Sequence, residues 1–317
     1  MIRKIVALGT SSRSRMVPVA CVMGSPPRLM FSTAFAAQDS DLTVAEDDGS
    51  ASIAKEMLVR RDLEAAHALS HHFGYDELVW NHISARLDES GLFLVTPGDR
   101  LFDEVSAESL VVSSPSNANV TSDVIHSAIY KARPDVGAIV HHHTPAVTAV
   151  SALADGLQFL TQDAAAFYGR LAYHPWEGLS DEYDECVRLA AAVATGAHTV
   201  LMRNHGALTL GATVAEAWVR YYYLDRVCQI QCQTAGRPIT QPEASVLERA
   251  ARQYDPVHGP FRHGLHEWPA LFRLAERIRE TKEVKARRSG GDLALATFPR
   301  IPSLSRRPTM STSAGGG

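Results

Sequence analysis

The chain has 317 residues, of which 45% are hydrophobic, and a formal net charge of −4, which fits a globular protein with one sizeable core. It has no basic stripe in its middle, so nucleic-acid binding is not indicated, and no apolar stretch approaches the roughly 18–20 residues that cross a bilayer. The four cysteines form no CxxC motif and no even disulfide framework, so we expect reduced, cytoplasmic surroundings.

The two ends of the chain differ in composition from its middle. Residues 1–38 carry five basic residues and no acidic one, and they are rich in Ser, Pro and small residues. This composition fits a cleaved transit peptide, a poor secretory signal, or a disordered leader from an upstream start codon, and it does not decide among the three. Residues 39–51 are acidic and polar, which indicates a linker, and residues 282–317 are charged and then Ser/Pro-rich, which indicates a disordered tail.

Helices and strands are predicted to alternate between these ends. The predicted helices cover residues 53–73 (with Gly74 as C-cap), 122–132, 145–154, 181–195 and 213–234. The predicted strands are a hairpin of residues 81–87 and 91–96, followed by 136–143, 199–205 and 207–210. Thr213 and Glu216 have the spacing of a capping box. The mixture predicts a layered α/β architecture in which helices cover a sheet.

Two of the predicted strands end in histidines. Residues 136–140 lead into His141 and His143, and the strand over 199–205 ends at His205. Side chains alternate along a strand, so His141 and His143 share a face, where two imidazoles can chelate one cation at about 2.0–2.1 Å. With His205 as a third ligand, the pattern predicts a catalytic divalent-metal site with open coordination positions. Polar histidines at strand ends or interfaces are the alternative interpretation.

Seven short segments carry a further pattern. They are Asn81-His82-Ile83-Ser84, Val95-Thr96-Pro97, His126-Ser127-Ala128-Ile129-Tyr130, Arg133-Pro134-Asp135-Val136, His141-His142-His143-Thr144-Pro145, Phe167-Tyr168-Gly169-Arg170-Leu171-Ala172-Tyr173 and Asn204-His205-Gly206. In this order they resemble the class II aldolase/adducin family over roughly residues 52–240, and bacterial members known only by that family name are the most similar.

The resemblance implies an α/β fold of three layers, α/β/α, with a mostly antiparallel central sheet. It implies a homotetramer with active sites near subunit interfaces. It also implies a divalent metal on His141, His143 and His205, with zinc first and manganese or iron as alternatives. The chain would then divide into four parts: a leader with its linker (1–51), the class II aldolase/adducin domain (52–240), a helical C-terminal extension (241–281) and the tail (282–317).

The resemblance further implies lyase chemistry on a small-molecule substrate. A metal that acts as a Lewis acid on vicinal substrate oxygens stabilises the enediolate formed when a C–C bond breaks. The same electron sink serves aldol cleavage, epimerisation, dehydration and decarboxylation. The metal alone therefore does not name the reaction.

One departure from the family concerns the acid/base group. The sugar-phosphate aldolases of the family place a Glu nineteen residues before the first metal histidine, where this chain has Ser122, with Asp123 beside it. We take Asp123 as the candidate catalytic acid/base, which would need hydrogen-bond reach to the reacting proton. The alternative is structural, with Ser122 as a helix N-cap and Asp123 as a first-turn acid favoured by the helix dipole.

A second departure concerns phosphate. Asn81 and Thr96 match substrate-binding positions of the phospho-sugar enzymes, but Asp99 stands where the family has Gly, and the Ser-Ser position is Val120-Thr121. A carboxylate repels a phosphate dianion, so we expect a non-phosphorylated substrate. The alternative for Asn81 is a strand-start residue that bonds to its own backbone.

Three other positions are candidates by location. Gln162 precedes Phe167-Tyr168 and is a candidate for substrate binding, and Tyr168 is a candidate acid/base group, although a buried tyrosine is more often core. Arg203 lies two residues before His205, so strand alternation predicts a shared face and a contact with a substrate carboxylate; a structural ion pair is the alternative. His142 should face away from the metal and pack. The cluster of His67, His71 and His72 is interpreted as a solvated or interface helix patch.

Two classes of function follow. The first is a metal-dependent lyase that cleaves or decarboxylates a small, non-phosphorylated hydroxy- or keto-carbonyl compound. Within that class, an Fe(II) oxygenase on the same fold is a lesser alternative. The second is an adducin-like module that binds protein partners and performs no chemistry. The three converging histidines favour the enzyme, and the missing Glu favours the module.

Overall fold

The computed structural model describes residues 50–88, 91–113, 120–178 and 183–289. The predicted leader and most of its linker, two residues of the hairpin turn (89–90) and the end of the tail (290–317) lie outside the described residues. The helices are α1 (Ser50–Phe73), α2 (Val120–Ala132), α3 (Pro145–Ala152), α4 (Tyr183–Ala194), α5 (Val214–Thr234), α6 (Ala244–Gln253) and α7 (Trp268–Ser289). The strands are β1 (His82–Arg86), β2 (Phe93–Val95), β3 (Val111–Val112), β4 (Ala138–His142), β5 (Leu171–His174), β6 (Thr199–Met202) and β7 (Gly206–Gly211).

These strands form one sheet in the order β3-β2-β1-β4-β7-β6-β5. Neighbouring strands are antiparallel except for β5 and β6, which are parallel. The two strands that carry most of the site are β1 and β4, where His82 lies directly opposite His141. The predicted mostly antiparallel central sheet is therefore confirmed.

Helices cover both faces of the sheet and give the predicted three layers. On one face α1, α3 and α5 contribute Leu69, Val147 and Trp218 to a buried apolar cluster. On the other face α2 and α4 contribute Ile129 and Leu189 to a second cluster. Strand alternation in β4 follows the same division, because Ile139 belongs to the second cluster and Val140 to the first. His141 therefore faces the α2/α4 layer and His142 the α1/α5 layer.

The local signals at the helix ends act as predicted. Gly74 follows α1 with φ of 70°, a conformation that glycine adopts at low cost. Thr213 caps α5, since its side chain accepts a hydrogen bond from the Glu216 N–H at 3.2 Å. The Glu216 carboxylate does not return to Thr213 and instead accepts from the Ala212 N–H. Only half of the predicted capping box is therefore formed.

Two predicted boundaries are wrong. Strand β6 ends at Met202, and residues 203–205 form a turn into β7, so His205 does not lie on the strand. Helix α7 continues to Ser289, beyond the predicted start of the tail at 282, and Lys282 within it pairs with Asp103 at 3.1 Å. None of the helices in the described part of the chain is long and apolar enough to cross a membrane.

Candidate metal centre

Three imidazoles converge at one end of the central sheet. His141 lies near the end of β4, His143 follows that strand, and His205 lies in the turn between β6 and β7. One nitrogen from each lies within 4.8 Å of the others. The Nε2 atoms of His141 and His143 are 2.8 Å apart. The predicted metal-ligand set is thus brought together by parts of the chain that are distant in sequence.

Hydrogen bonds to the other ring nitrogens decide which atoms are free for a metal. The Nδ1 of His141 lies 3.0 Å from the carbonyl oxygen of Ala207, and that of His143 lies 2.7 Å from a carboxylate oxygen of Glu77. Both neighbours are acceptors, so both Nδ1 atoms donate to them and each Nε2 is the atom left to face a metal. Two unprotonated nitrogens at 2.8 Å are stabilised by a cation that both of them bind. These residues fit a divalent metal.

The turn that presents His205 depends on its neighbours. Asn204 has φ of 57°, in the left-handed region that Asn tolerates better than most residues. A Cβ on Gly206 would lie 2.6 Å from the carbonyl oxygen of His142 and 2.8 Å from the ring of His143. Only glycine therefore allows the turn to approach β4 closely enough for His205 to join the other two ligands.

Burial keeps these histidines in the form that binds metal. Burial, followed by the nearby imidazoles, holds the pKa of His141 well below its ordinary value. Burial and the neighbouring His143 lower the pKa of His205 to about 4. Neutral imidazole is the metal-binding form, so the site is ready to bind a cation at neutral pH.

Asn81 and Thr96 lie at the same end of the sheet but differ in their bonding. Asn81 is buried, and neither its amide oxygen nor its amide nitrogen has a hydrogen-bond partner, so it does not bond to its own backbone as the alternative interpretation expected. The hydroxyl of Thr96 accepts from the Ile83 N–H at 2.8 Å and lies 2.7 Å from Nε2 of His67. The Thr96 hydroxyl is thus committed inside the protein, whereas Asn81 has free capacity for a ligand.

Asp123 lies in the first turn of α2, where its carboxylate accepts a hydrogen bond from the Ser113 hydroxyl at 2.5 Å. Helix α2 begins at Val120, so Ser122 is not its N-cap, and Ser122 is fully buried. Further along α2, His126 reaches the network around the histidine cluster, and the sequence did not mark it as a functional candidate.

Gln162 and Tyr168 lie outside the histidine cluster within one chain. Both precede β5, and Leu171 at the start of β5 pairs with Thr199 at the start of β6. That end of the strand pair is opposite to the end that leads into His205. Gln162 is exposed and lines a different groove, between α5 and α6, while the Tyr168 ring packs edge-on against Phe159 at 5.2 Å. Their predicted roles therefore stay predictions.

Arg203 does not point with His205 toward the cluster as strand alternation predicted, because both residues lie in a turn. Its guanidinium donates to the carbonyl oxygen of Leu153 at 2.5 Å and lies 4.1 Å from the ring centre of Tyr173. These contacts attach the turn to the segment after α3. The bonding is structural, to a backbone carbonyl rather than to the ion-pair partner that we had considered.

His142 packs against the α1/α5 layer, as predicted. It is fully buried, and its Nε2 lies 3.1 Å from the Ser70 hydroxyl, which also accepts from the Trp218 indole. The interpretation of His67 as a solvated residue is wrong, since it is fully buried against Thr96 and Phe102. The apolar residues around it gave no signal of this burial, which depends on the loop after β2.

A second histidine pair, His82 and His126, lies beside the cluster and was not predicted as functional. Their nearest nitrogens are 2.8 Å apart, and the His82 ring centre is 4.8 Å from that of His141. The signal that could have found them is the register between β1 and β4, which pairs His82 with His141. A single sequence does not contain that register.

Comparisons with known proteins identify the family of this chain. The family described as "Class II Aldolase and Adducin N-terminal domain" matches residues 61–232. A provisionally named aldolase class 2 protein of Pseudomonas aeruginosa is 33% identical over 236 residues, covering 69% of this chain and 90% of that protein. Alpha-adducin of Rattus norvegicus is 36% identical over 198 residues, covering 58% of this chain and 27% of adducin.

A solved structure shows the same fold. It is an L-fuculose 1-phosphate aldolase from Glaciozyma antarctica PI12, which superposes with a TM-score of 0.63 at 26% identity and covers 76% of this chain and 96% of its own. The fold, the profile match and the bacterial relative together define the class: the chain belongs to the class II aldolase/adducin family.

Proposed function

We propose that this protein is a metal-dependent lyase that cleaves or decarboxylates a small, non-phosphorylated hydroxy- or keto-carbonyl compound. The observation that carries the proposal is the convergence of His141, His143 and His205, in which the Nδ1 atoms of the first two lie within hydrogen-bond distance of acceptors and their Nε2 atoms are 2.8 Å apart. Three imidazoles that converge in this way suit a divalent metal, and a scaffold has no need of them. The name of the structurally similar fuculose-phosphate aldolase supports C–C cleavage.

The residues of the site have two roles, metal binding and orientation of the metal ligands. A bound divalent ion, zinc first and manganese or iron as alternatives, would act as a Lewis acid on substrate oxygens. His141, His143 and His205 hold it, while Glu77 and the Ala207 carbonyl orient the first two of these ligands. The open coordination positions are left to the substrate.

The groups that contact substrate are fewer than the sequence suggested. Asn81 offers an amide donor and an amide acceptor, both buried and without partners, to the substrate. The proton-transfer role of Asp123 stays a prediction, since its carboxylate accepts from Ser113. Arg203 and Thr96 have their polar atoms engaged within the protein and act by positioning.

A phosphorylated substrate is disfavoured at the rim of the site. Val95 pairs with Ser84 in the register of β1 and β2, so the segment after Thr96 reaches the end of the sheet that carries His82 and His141. The exposed Asp99 lies in this segment. Its charge would repel a phosphate dianion that approached the metal from this side.

A non-catalytic, adducin-like binding role is the second candidate. It is favoured by the 36% identity to alpha-adducin. In the Fe(II) oxygenase alternative, the same three imidazoles would bind iron. Metal binding therefore separates the binding module from the other two functions, and zinc or manganese separates the lyase from the oxygenase.

The deciding experiment is elemental analysis of the purified full chain, with the variants His143→Ala and His205→Ala. About one equivalent of zinc or manganese per subunit, lost in both variants while the circular dichroism spectrum stays unchanged, would support the lyase. His72→Ala, at an exposed histidine in the last turn of α1, is the matched control and should retain the metal. Iron would favour the oxygenase. A chain that takes up no metal after reconstitution would contradict the proposal and favour the binding module.

A further inference from the structure

Four buried polar side chains, two from α2 and two from β1, form a chain of hydrogen bonds that ends at the histidine cluster. The Tyr130 hydroxyl lies 2.8 Å from the Ser84 hydroxyl, which lies 2.5 Å from Nδ1 of His126. The Nε2 of His126 lies 2.8 Å from Nδ1 of His82. All four residues are buried, with at most 3% of their surface exposed. Their hydrogen bonds can therefore be assigned from one end to the other.

The tyrosine fixes the direction of this chain. Burial raises the pKa of Tyr130, so the phenol keeps its hydrogen. Among the described residues the only hydrogen-bond acceptor in its reach is the Ser84 hydroxyl oxygen. Tyr130 therefore donates to Ser84, and Ser84 must direct its own hydrogen to its remaining partner, the Nδ1 of His126.

The same logic sets the tautomers of both histidines. Burial lowers the pKa of His126 to about 3, so this ring is neutral, and the Nδ1 of His82 lies 2.8 Å from its Nε2. A neutral ring that accepts at Nδ1 carries its hydrogen at Nε2. His126 therefore donates to Nδ1 of His82, and His82 carries its only hydrogen at Nε2.

That last N–H has no acceptor. The Nε2 of His82 is buried and has no hydrogen-bond partner in the described part of the chain. The His82 ring lies against His141, with 4.8 Å between ring centres. A buried donor without an acceptor is destabilising, and native proteins rarely leave one unless water, an ion or a ligand supplies the partner.

We propose that the Nε2–H of His82 is a substrate-binding donor, which holds a carboxylate or carbonyl oxygen of the substrate beside the metal ligand His141. The inference rests on the proposed function, because it places the acceptor next to the metal site. The buried Tyr130–Ser84–His126 chain serves to fix the tautomer of His82. The ligand class is a small oxygen acid or hydroxy-carbonyl compound, since only an acceptor complements this N–H.

Nitrogen NMR of the full-length, metal-loaded protein labelled with 15N-histidine tests the tautomer directly. We expect the His82 spectrum to show a protonated Nε2 and an unprotonated Nδ1, with the assignment made from the signals that disappear in His82→Phe. Tyr130→Phe removes the phenol that sets the direction, so a second His82 tautomer should appear. Tyr75→Phe, at a buried tyrosine on the opposite face of the sheet, should leave the tautomer unchanged. A His82 that is protonated at Nδ1 in the wild-type protein would overturn the inference.

Glycolate, which carries a hydroxyl and a carboxylate on adjacent carbons, is the binding probe for calorimetry. His82→Phe keeps an aromatic ring against His141 but removes the N–H, and we expect the Kd for glycolate to rise about tenfold or more with metal stoichiometry unchanged. An unchanged Kd would contradict the role of His82.

The two proposals fail in different ways. A protein that binds no metal contradicts the proposed function. The tautomer of His82 can still be measured in that protein, and it still tests the directions assigned to the hydrogen bonds. A metal-loaded protein with the Nδ1–H tautomer of His82, or with equal glycolate affinity in His82→Phe, leaves the lyase intact and removes only the substrate-binding donor.

Discussion

The ring orientation of the ligand His143 depends on one exposed carboxylate. Glu77 accepts its Nδ1–H at 2.7 Å, although more than half of the Glu77 side chain is exposed. A carboxylate in this position fixes the tautomer and makes the opposite nitrogen a better ligand. The metal affinity should therefore respond to Glu77 even though this residue does not touch the metal.

We predict that Glu77→Gln weakens metal binding about tenfold, because the amide keeps the acceptor but loses the charge. The measurement is competition with a chromogenic chelator at fixed pH. Asp76→Asn is the matched control, since this neighbouring carboxylate lies 2.9 Å from the imidazole of His71, which is not a ligand. A loss of equal size in both variants would mean that general surface charge, and not the bond to His143, sets the affinity.

Asp99 gives the second prediction for a single residue. If its carboxylate repels phosphate, Asp99→Asn should strengthen the binding of a small phosphate monoester by about three- to tenfold at low salt, and this gain should shrink as the ionic strength rises. Glycolate binding should change less, since its charge is smaller. Calorimetry with both ligands at two salt concentrations measures this. A gain in phosphate-monoester affinity that does not change with salt concentration would indicate a steric cause.

At the scale of elements, one buried contact attaches α1 to the end of β2. His67 donates from Nδ1 to the Leu63 carbonyl at 2.7 Å, so its Nε2 accepts the hydrogen of Thr96. Thr96 in turn accepts from the Ile83 N–H in β1. Helix, strand end and neighbouring strand thus share a single hydroxyl.

We predict that Thr96→Val lowers the free energy of unfolding by about 1–3 kcal/mol, because it leaves a buried N–H and a buried imidazole nitrogen without partners. Urea denaturation measures the change. Thr195→Val is the control, since that exposed hydroxyl only donates to the Ala192 carbonyl at the end of α4, and it should change stability by less than about 0.5 kcal/mol. Equal losses in the free energy of unfolding of the two variants would contradict a special role for the Thr96 hydroxyl.

Element boundaries that depend on local sequence were predictable, and those that depend on tertiary contacts were not. Gly74 and Thr213 end and begin their helices as their residue types indicate. Helix α7, in contrast, carries Lys282, whose ion pair with a residue 179 positions away is a contact that local sequence does not state. The end of β6 depended on how closely Gly206 approaches β4.

The same distinction applies to the site. The spacing of His141 and His143 predicted their convergence, because β alternation is local. Gln162 and Tyr168 could not be placed without knowing that β5 pairs in parallel with β6. Because both residues precede β5, this pairing puts them at the end of the sheet opposite to His205. The role inferred for His82 needed the register between β1 and β4. Register and strand direction are properties of the folded sheet, and a single sequence does not state them.

At the scale of the whole molecule, buried neutral histidines connect stability to pH. Burial lowers the pKa of His67 to about 4, and that of both His126 and His263 to about 3. The unfolded chain would protonate these residues near their ordinary pKa of about 6.5. Between pH 6.5 and 4 the unfolded state therefore binds more protons than the folded state. The stability is fully present above about pH 6.5 and is lost as the pH falls.

We predict that the free energy of unfolding of the metal-free protein falls steeply between pH 6 and pH 4.5. Each fully shifted histidine contributes about 1.4 kcal/mol per pH unit to this slope. The half-buried Asp62 and the buried Asp225 act against it, because burial raises their pKa and the folded state holds their protons to higher pH. Urea unfolding at a series of pH values gives the slope. His67→Gln removes one titrating side chain, so we expect the slope to fall by about 1.4 kcal/mol per pH unit, the contribution of one proton. His72→Gln, at an exposed histidine, should not change the slope; a wild-type slope in His67→Gln would show that His67 is protonated in the folded state despite its burial.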